Sequence, residues 1–239
     1  MSDIQRVELE AAFLLHARPY RETSQLLEIL SRDHGRVGLV ARGSRRPKSR
    51  WKSTLRPFQP LRISWSGRGS LYTLRGAETA AKAARIKGMS LMGAYYMNEL
   101  LIALIQRGDS HPNLFTHYAG ALAALSAGED TEPVLRRFEV SLLAEIGYGL
   151  FVERDVVADE PLADDRKYEY VIDRGAVPVP DSSSGDMVFL GAELLATTRG
   201  EFQNAGQLKS AKRLLRTLLD RNLGGRVLKT RAVLASMRR

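Results

Sequence analysis

"SQLLEILSRDHGRVGLVARG", residues 24–43, reads as two short strands around a turn. "SQLLEILS" packs four large aliphatic side chains into eight residues, "RDHG" supplies a polar turn closed by Gly, and "RVGLVARG" resumes the extended pattern. On its N-terminal side, "RVELEAAFLLHARPY" is a further extended stretch that ends at a Pro turn. On its C-terminal side, Leu61, Ile63 and Trp65 alternate with Arg62 and Ser64 before the turn "SGRGS" and the strand "LYTLRG". About five strands thus fit into some 75 residues. One apolar face and Gly-rich turns predict a small closed barrel of the size of an OB-fold, whose grooves accept single strands or oligonucleotides.

After Ala77 the pattern becomes helical. "LMGAYYMNELLIALIQRG" sets Leu91, Ala94, Tyr95, Asn98, Leu101, Ile102 and Ile105 on one stripe, with Gly108 as a stop. "DSHPNLFTHYAGALAALSAG" offers Asp109 or Ser110 as a cap, an early Pro112 and a closing Gly128. "EPVLRRFEVSLLAEIGYG" turns Leu135, Phe138, Leu142, Leu143 and Ile146 inward, and these three helices are expected to pack together. Residues 151–190 break the regularity with acids, prolines and "DSSSGD", and read as a small irregular β insertion. "LKSAKRLLRTLLDRNLGGRVLKTRAVLASMRR" closes the chain as an amphipathic helix ending at "LGG" and a final turn or two. The fold class is therefore α+β: a barrel over 1–80, a helical domain over 81–150, the insertion over 151–190, and C-terminal helices over 191–239 that pack on the helical domain.

Charge is distributed in blocks. The net charge is +9, residues 1–90 hold 18 Lys/Arg against 7 Asp/Glu, and residues 207–239 hold 10 against Asp220 alone. Residues 129–169 are by contrast acidic. Such a balance points to a polyanionic partner: nucleic acid, an anionic membrane surface or acidic protein tails. The segment between the third and fourth strands concentrates Arg42, Arg45, Arg46, Lys48, Arg50, Lys52 and Arg56 without one acid. Self-repulsion in such a run is relieved by phosphates, which flexible cationic heads neutralise without reading sequence. Its other reading is a solvated loop. Trp51, and Trp65, Tyr72 and Phe58 around it, are candidates for stacking on bases; Trp65 and Phe58 read rather as barrel core, and Trp51 alone sits in the basic context that favours stacking.

Other chemistries find little support. Cysteine is absent, which removes disulfides, thiolate nucleophiles and Cys-ligated metals, and His16, His34, His111 and His117 form no HxH or HxxxH pair. No cofactor and no metal are expected. "GRG" at 67–69, which contains Arg68, reads as a hairpin turn, since GxxxxGK[ST] and GxGxxG are missing. Ser24, Asp33 and His34 have the residue types of a hydrolase triad without a GxSxG elbow. Asp155, Asp159, Glu160, Asp164 and Asp165 leave open a magnesium-dependent nuclease, which intact substrate after incubation with Mg²⁺ would eliminate. A basic barrel leaves open an RNA-binding protein as well. No apolar run reaches the roughly 18 residues of a membrane span, and "MSDIQRVELE" lacks the layout of a signal peptide, so a cytoplasmic location and no membrane partner are expected.

Several blocks in order, "AFLLHARPYRETSQLLEILSRDHGRVGLVARGSRRPKSRWKSTLRPFQPL", "SGRGSLYTLRGAE", "YYMNELL", "LRRFEVSLLAEIGYG" and "LGGRVLKTR", resemble the RecO family of DNA repair and recombination proteins over nearly the full length. The resemblance implies an N-terminal OB-fold, a helical body and a zinc-finger-like insertion. It further implies a non-catalytic mediator of the RecF pathway, nucleoid-associated in the cytoplasm. Such a mediator binds single- and double-stranded DNA, anneals complementary strands, and acts with RecR and single-stranded DNA-binding protein to load RecA. Many members carry four cysteines in the insertion. Here Asp155 or Val156 and Pro178 stand roughly where ligands would be expected, so the insertion is expected to hold itself without zinc, through Tyr168, Tyr170, Val171, Ile172 and Val177.

With that resemblance the cationic blocks take roles. One DNA strand is assigned to the loop residues above with Arg68 and Trp51, and the second to Lys209, Lys212, Arg213, Arg216, Arg226, Lys229 and Arg231. The resemblance also implies a pocket for the acidic, phenylalanine-ended tail of single-stranded DNA-binding protein. Arg136 and Arg137, beside Leu135 and Phe138, match the family's "LRRFE" block, and Arg136 is the first candidate for the tail's carboxylate. A salt bridge from it to Glu132 or Glu139 is the alternative.

Overall fold

The computed structural model describes residues 4–81, 85–150 and 152–236, with side chains to residue 233. The chain divides into two compact units: residues 1–128 with 228–239, and residues 129–227. The sequence-based divisions at 80, 150 and 190 follow changes of secondary structure, whereas these units follow packing.

The first unit is built on a closed barrel in the order β1-β2-β3-β5-β4, formed by β1 (Gln5–Tyr20), β2 (Ser24–Ser31), β3 (Gly35–Ala41), β4 (Pro60–Gly67) and β5 (Tyr72–Thr79). Closure needs one strand long enough to pair on both sides, and β1 supplies it. Its first half pairs with β4 and its second half with β2. Two bulges bend it, one between Val7 and Glu10 and one between Leu14 and His16. Leu9 sits in the first bulge at φ 49°, its N–H given to Ser64 Oγ at 3.0 Å. Alternate residues of all five strands fill the barrel: Leu14, Leu27, Ile29, Leu39, Ile63 and Trp65 are among those fully withdrawn from solvent.

Outside the barrel, α1 (Gly88–Leu104) and α2 (Pro112–Ala127) cover β1. Phe13 meets Phe115 and Tyr118, with ring centroids 5.2 Å apart in both pairs. A buried relay fixes the register: the Tyr118 hydroxyl donates to Asn98 Oδ1 at 2.5 Å, and Asn98 Nδ2 donates to the Leu15 carbonyl at 2.8 Å. Because α1 is packed on several sides, Tyr96, Met97 and Leu100 are buried although they lie off the predicted stripe. Tyr95, predicted to face inward, is 41% exposed and rests edge-on against Phe58. The cap of α2 is His111, without a side-chain bond, rather than Asp109 or Ser110. The C-terminal α6 (Lys229–Ser236) returns to this unit, where Glu99 of α1 caps it by accepting from the backbone of Lys229 and Thr230 at 2.7 and 3.0 Å.

In the second unit, α3 (Thr131–Glu145) packs on α4 (Gly191–Arg199) and α5 (Ala205–Leu223) instead of joining α1 and α2 in a three-helix cluster. A three-stranded sheet in the order β7-β6-β8 stands beside them, made of β6 (Lys167–Val171), β7 (Gly175–Pro178) and β8 (Val188–Leu190). Tyr168, Tyr170, Ala176 and Phe189 are buried there, while Val171, Ile172 and Val177 are half-buried. Gly191 starts α4 where a Cβ would lie 2.1 Å from the Ala163 carbonyl oxygen, so a side chain is excluded at that junction.

Candidate nucleic-acid interface

The chain between β3 and β4 has no helix or strand, yet it is ordered by successive turns. Arg46 N–H bonds the Gly43 carbonyl at 3.2 Å, Ser49 N–H the Arg46 carbonyl at 3.0 Å, and Leu55 N–H the Trp51 carbonyl at 2.9 Å. Trp51 anchors the whole segment. It is 8% exposed and belongs to the barrel core, with the Arg50 guanidinium lying over its ring at 4.1 Å. The indole therefore fixes the loop in place and offers no open face to a base, which corrects the stacking alternative for this residue.

Around that anchor, Arg42, Arg45, Arg46, Lys48, Arg50, Lys52 and Arg56 are all exposed. Among the described residues none of the seven is in an ion pair. Arg42, Arg46 and Arg50 line a shallow cleft of about 340 Å³ together with Trp51, Thr73 and Arg75. Arg75 is the residue that sequence reasoning missed. It comes from β5, which runs parallel to β3 through Leu39–Tyr72 and Val40–Thr73 and so delivers its outward side chains beside the chain that leaves β3. The signal was present in "YTLRG", where Arg75 follows the buried Leu74, but its neighbour is set by barrel closure. Arg50 Nη2 reaches the Arg75 carbonyl at 3.4 Å, and Arg75 Nε is held by Ser66 Oγ at 2.7 Å. Arg68 is exposed in the adjoining β4–β5 turn.

Four guanidiniums facing one depression without a carboxylate make a site for a polyanion. An isolated small anion would satisfy part of the cluster, whereas a chain of phosphates can satisfy all of it.

The second cationic block has a different character. On α5, Lys212 Nζ is bound to Glu132 at 2.6 Å and Arg216 Nε lies 3.7 Å from Asp220. Arg213 covers the Phe189 ring at 4.4 Å and donates to the Val188 carbonyl at 2.8 Å. Lys209 is exposed and, among the described residues, has no ion pair. At the C-terminal end Lys229 and Arg226 are exposed, and Arg231 is half-buried over the Tyr96 ring at 5.7 Å. Exposed pairs of this kind are worth about 0–1 kcal/mol, so a phosphate can replace the carboxylate, with less gain than at an uncompensated cation.

In α3 the two candidate arginines part company. Arg136 is 4% exposed and bonded to Glu139 at 2.8 Å, which is the salt-bridge alternative; its Nε has no hydrogen-bond partner among the described residues. Arg137 stays at the surface, 3.0 Å from Glu129, its stem lying along Gly200. Leu135 and Phe138 are buried.

At the positions where the resemblance places zinc ligands, the described side chains are otherwise engaged or apolar. Asp155 is buried, and its Oδ1 accepts from the backbone N–H groups of Val157 and Ala158 at 2.9 and 2.7 Å, closing a turn. Those bonds hold its carboxyl below the usual aspartate range. Val156 and Pro178 bring no ligating side chain, and among the described residues no group of three or more His, Asp or Glu is disposed to hold a metal ion.

The fold and its cleft define an OB-barrel protein with a cluster of exposed cations on the barrel. Comparison with known proteins is specific. Residues 6–83 match the N-terminal domain of recombination protein O, and residues 88–232 match its C-terminal domain. The chain is 43% identical to the DNA repair protein RecO of Azoarcus sp. (strain BH72) over 236 residues, 98% of this chain and 97% of that one. It is 44% identical to the RecO of Aromatoleum aromaticum over 99% of both chains, and 44% identical to that of Methylococcus capsulatus over 98% of this chain and 96% of the relative. The chain belongs to the RecO family of DNA repair proteins.

Proposed function

We propose that the protein is a non-catalytic recombination mediator that binds single- and double-stranded DNA and anneals complementary strands. The observation that carries this reading is the ordered loop of uncompensated cations on the barrel. Annealing requires no bond made or broken by the protein: two strands repel through their phosphates, and cationic surface lowers that barrier while leaving the bases to pair. One strand lies on Arg42, Arg46, Arg50 and Arg75 with the rest of the loop. The second lies on Lys209, Lys212, Arg213 and Arg216 of α5, and contributes less because Lys212 and Arg216 already have carboxylate partners; Arg226, Lys229 and Arg231 are further cations for DNA phosphates.

The acidic tail of single-stranded DNA-binding protein docks on the Arg136–Arg137 block of α3. Arg137, exposed at the surface, meets a carboxylate of the tail, while buried Arg136, Leu135 and Phe138 hold the helix that presents it. RecR is the further partner, RecA loading the outcome, and the cytoplasmic nucleoid the location. The test is fluorescence annealing of complementary strands coated with single-stranded DNA-binding protein. Annealing that proceeds with the intact coat and falls at least about tenfold when its C-terminal tail is removed supports the reading, on the scale expected for lost charge-assisted contacts. Equal rates with and without the tail, or no annealing, would reject it.

A further inference from the structure

The barrel carries a second concavity that the cationic cleft does not account for. It encloses about 430 Å³ between the β2–β3 turn, the β4–β5 turn and the chain after α1, and its walls include His34, Arg36, Gly38, Trp65, Tyr72 and Arg107. The size falls within the roughly 300–1,000 Å³ of small-ligand pockets.

Its chemistry is mixed in a particular way. Glu28 holds two guanidiniums at once, that of Arg36 at 3.0 Å and that of Arg107, so this trio carries one positive charge in excess, while Asp33, also in the wall, is paired with Arg32 at 3.0 Å. The surplus lies toward solvent, since the Arg107 side chain is 36% exposed and that of Glu28 14%. Arg107 reaches this position across Gly38, where a Cβ would stand 2.9 Å from its Cζ. The other side is aromatic. His34 stands edge-on to Trp65 with ring centroids 5.4 Å apart, and Tyr72 is half-exposed. Trp65 Nε1 is buried without a hydrogen-bond partner among the described residues.

A cation beside aromatic rings matches one nucleotide of a single strand: a phosphate for Arg107 and a π-face for His34 and Tyr72. Position supports the same occupant. Tyr72 lines this concavity and Arg75, three residues and about 10 Å further along the same strand, lines the cationic cleft. We infer that the concavity at His34, Tyr72 and Arg107 receives an unstacked base of the strand whose phosphates lie on the loop. Duplex DNA keeps its bases stacked inside and cannot fill it, so the pocket favours single strands. The inference rests on the barrel loop binding DNA.

The test uses the full chain and a short oligothymidylate with one 5-iododeoxyuridine, photocrosslinked and mapped by peptide mass spectrometry, with anisotropy on the same samples. Adducts are expected at His34 or Tyr72. His34→Ala should weaken single-strand binding at least about fivefold and leave duplex binding within twofold, as expected for one lost stacking contact. Gly38→Ala, which touches only the flexible end of Arg107, should lower the adduct yield with the fold intact. Adducts confined to residues 42–56, or equal losses on single strand and duplex, would overturn the pocket while leaving the loop's role standing. No binding of the single strand by the unaltered protein would overturn both.

Discussion

Asp155 shows how one buried carboxylate can hold a turn. Its carboxylate closes the turn at the base of the insertion through two backbone N–H bonds, and these, against an opposing cost of burial, lower its pKa. A lowered folded-state pKa contributes stability that is fully present above the unfolded value of about 3.9 and is lost as pH falls through the folded value. Thermal unfolding followed from pH 7 downward should therefore show an acid-side loss below about pH 4 that is diminished in Asp155→Asn, because the amide no longer titrates. An identical acid limb in both proteins would contradict the assignment. Trp51 is the other decisive residue, because its indole is the loop's anchor in the barrel core. Trp51→Ala should cost about 3–5 kcal/mol in denaturant unfolding, with Trp51→Phe recovering part of it. A change under about 1 kcal/mol would mean that the loop is held by other contacts.

Among the elements, β1 joins the barrel's two edges and carries the helical cover. The Tyr118–Asn98–Leu15 relay is buried, and burial pushes the Tyr118 hydroxyl's pKa up, so it stays a neutral donor. Asn98→Ala removes the acceptor of that hydroxyl and the donor to Leu15, and should destabilise the protein by about 2–3 kcal/mol in equilibrium unfolding. Asn98→Asp, which keeps the acceptor and loses the amide donor, should also destabilise; wild-type stability in both variants would show that the relay holds nothing. The strands themselves were legible because period-two alternation and the turns "RDHG" and "SGRGS" are local signals. The bulge at Leu9 was not, since nothing in "RVELE" announces a positive φ that barrel closure imposes. Nor was α4 anticipated as a separate element. "GAELLATTR" is short, and its first turn is capped by Glu193, which accepts from Leu190 N–H at 3.0 Å and from Ser210 Oγ at 2.6 Å across to α5.

For the whole molecule, what the sequence makes plain is where cations are, and what it conceals is which of them have partners. The run from 42 to 56 contains no acid, and the folded loop keeps it uncompensated. Lys212 looks equally available in "LKSAKRLLRTLL", yet Glu132, 80 residues earlier, lies against it. Arg75 joins the cleft through a parallel pairing that no local pattern encodes. Binding should accordingly be shared unequally between the two blocks. The most direct measurement is the salt dependence of single-strand affinity for the unaltered protein, for Arg45→Ala/Arg46→Ala/Lys48→Ala, and for Lys212→Ala/Arg216→Ala. Each lost phosphate contact reduces the slope of log K against log salt by roughly 0.7 on a single strand. The loop variant should lose about 1–2 units of slope and the α5 variant less than half as much, with the fold of each intact. A loop variant whose slope matches the unaltered protein would contradict the claim that this segment of the barrel is where the phosphate chain binds.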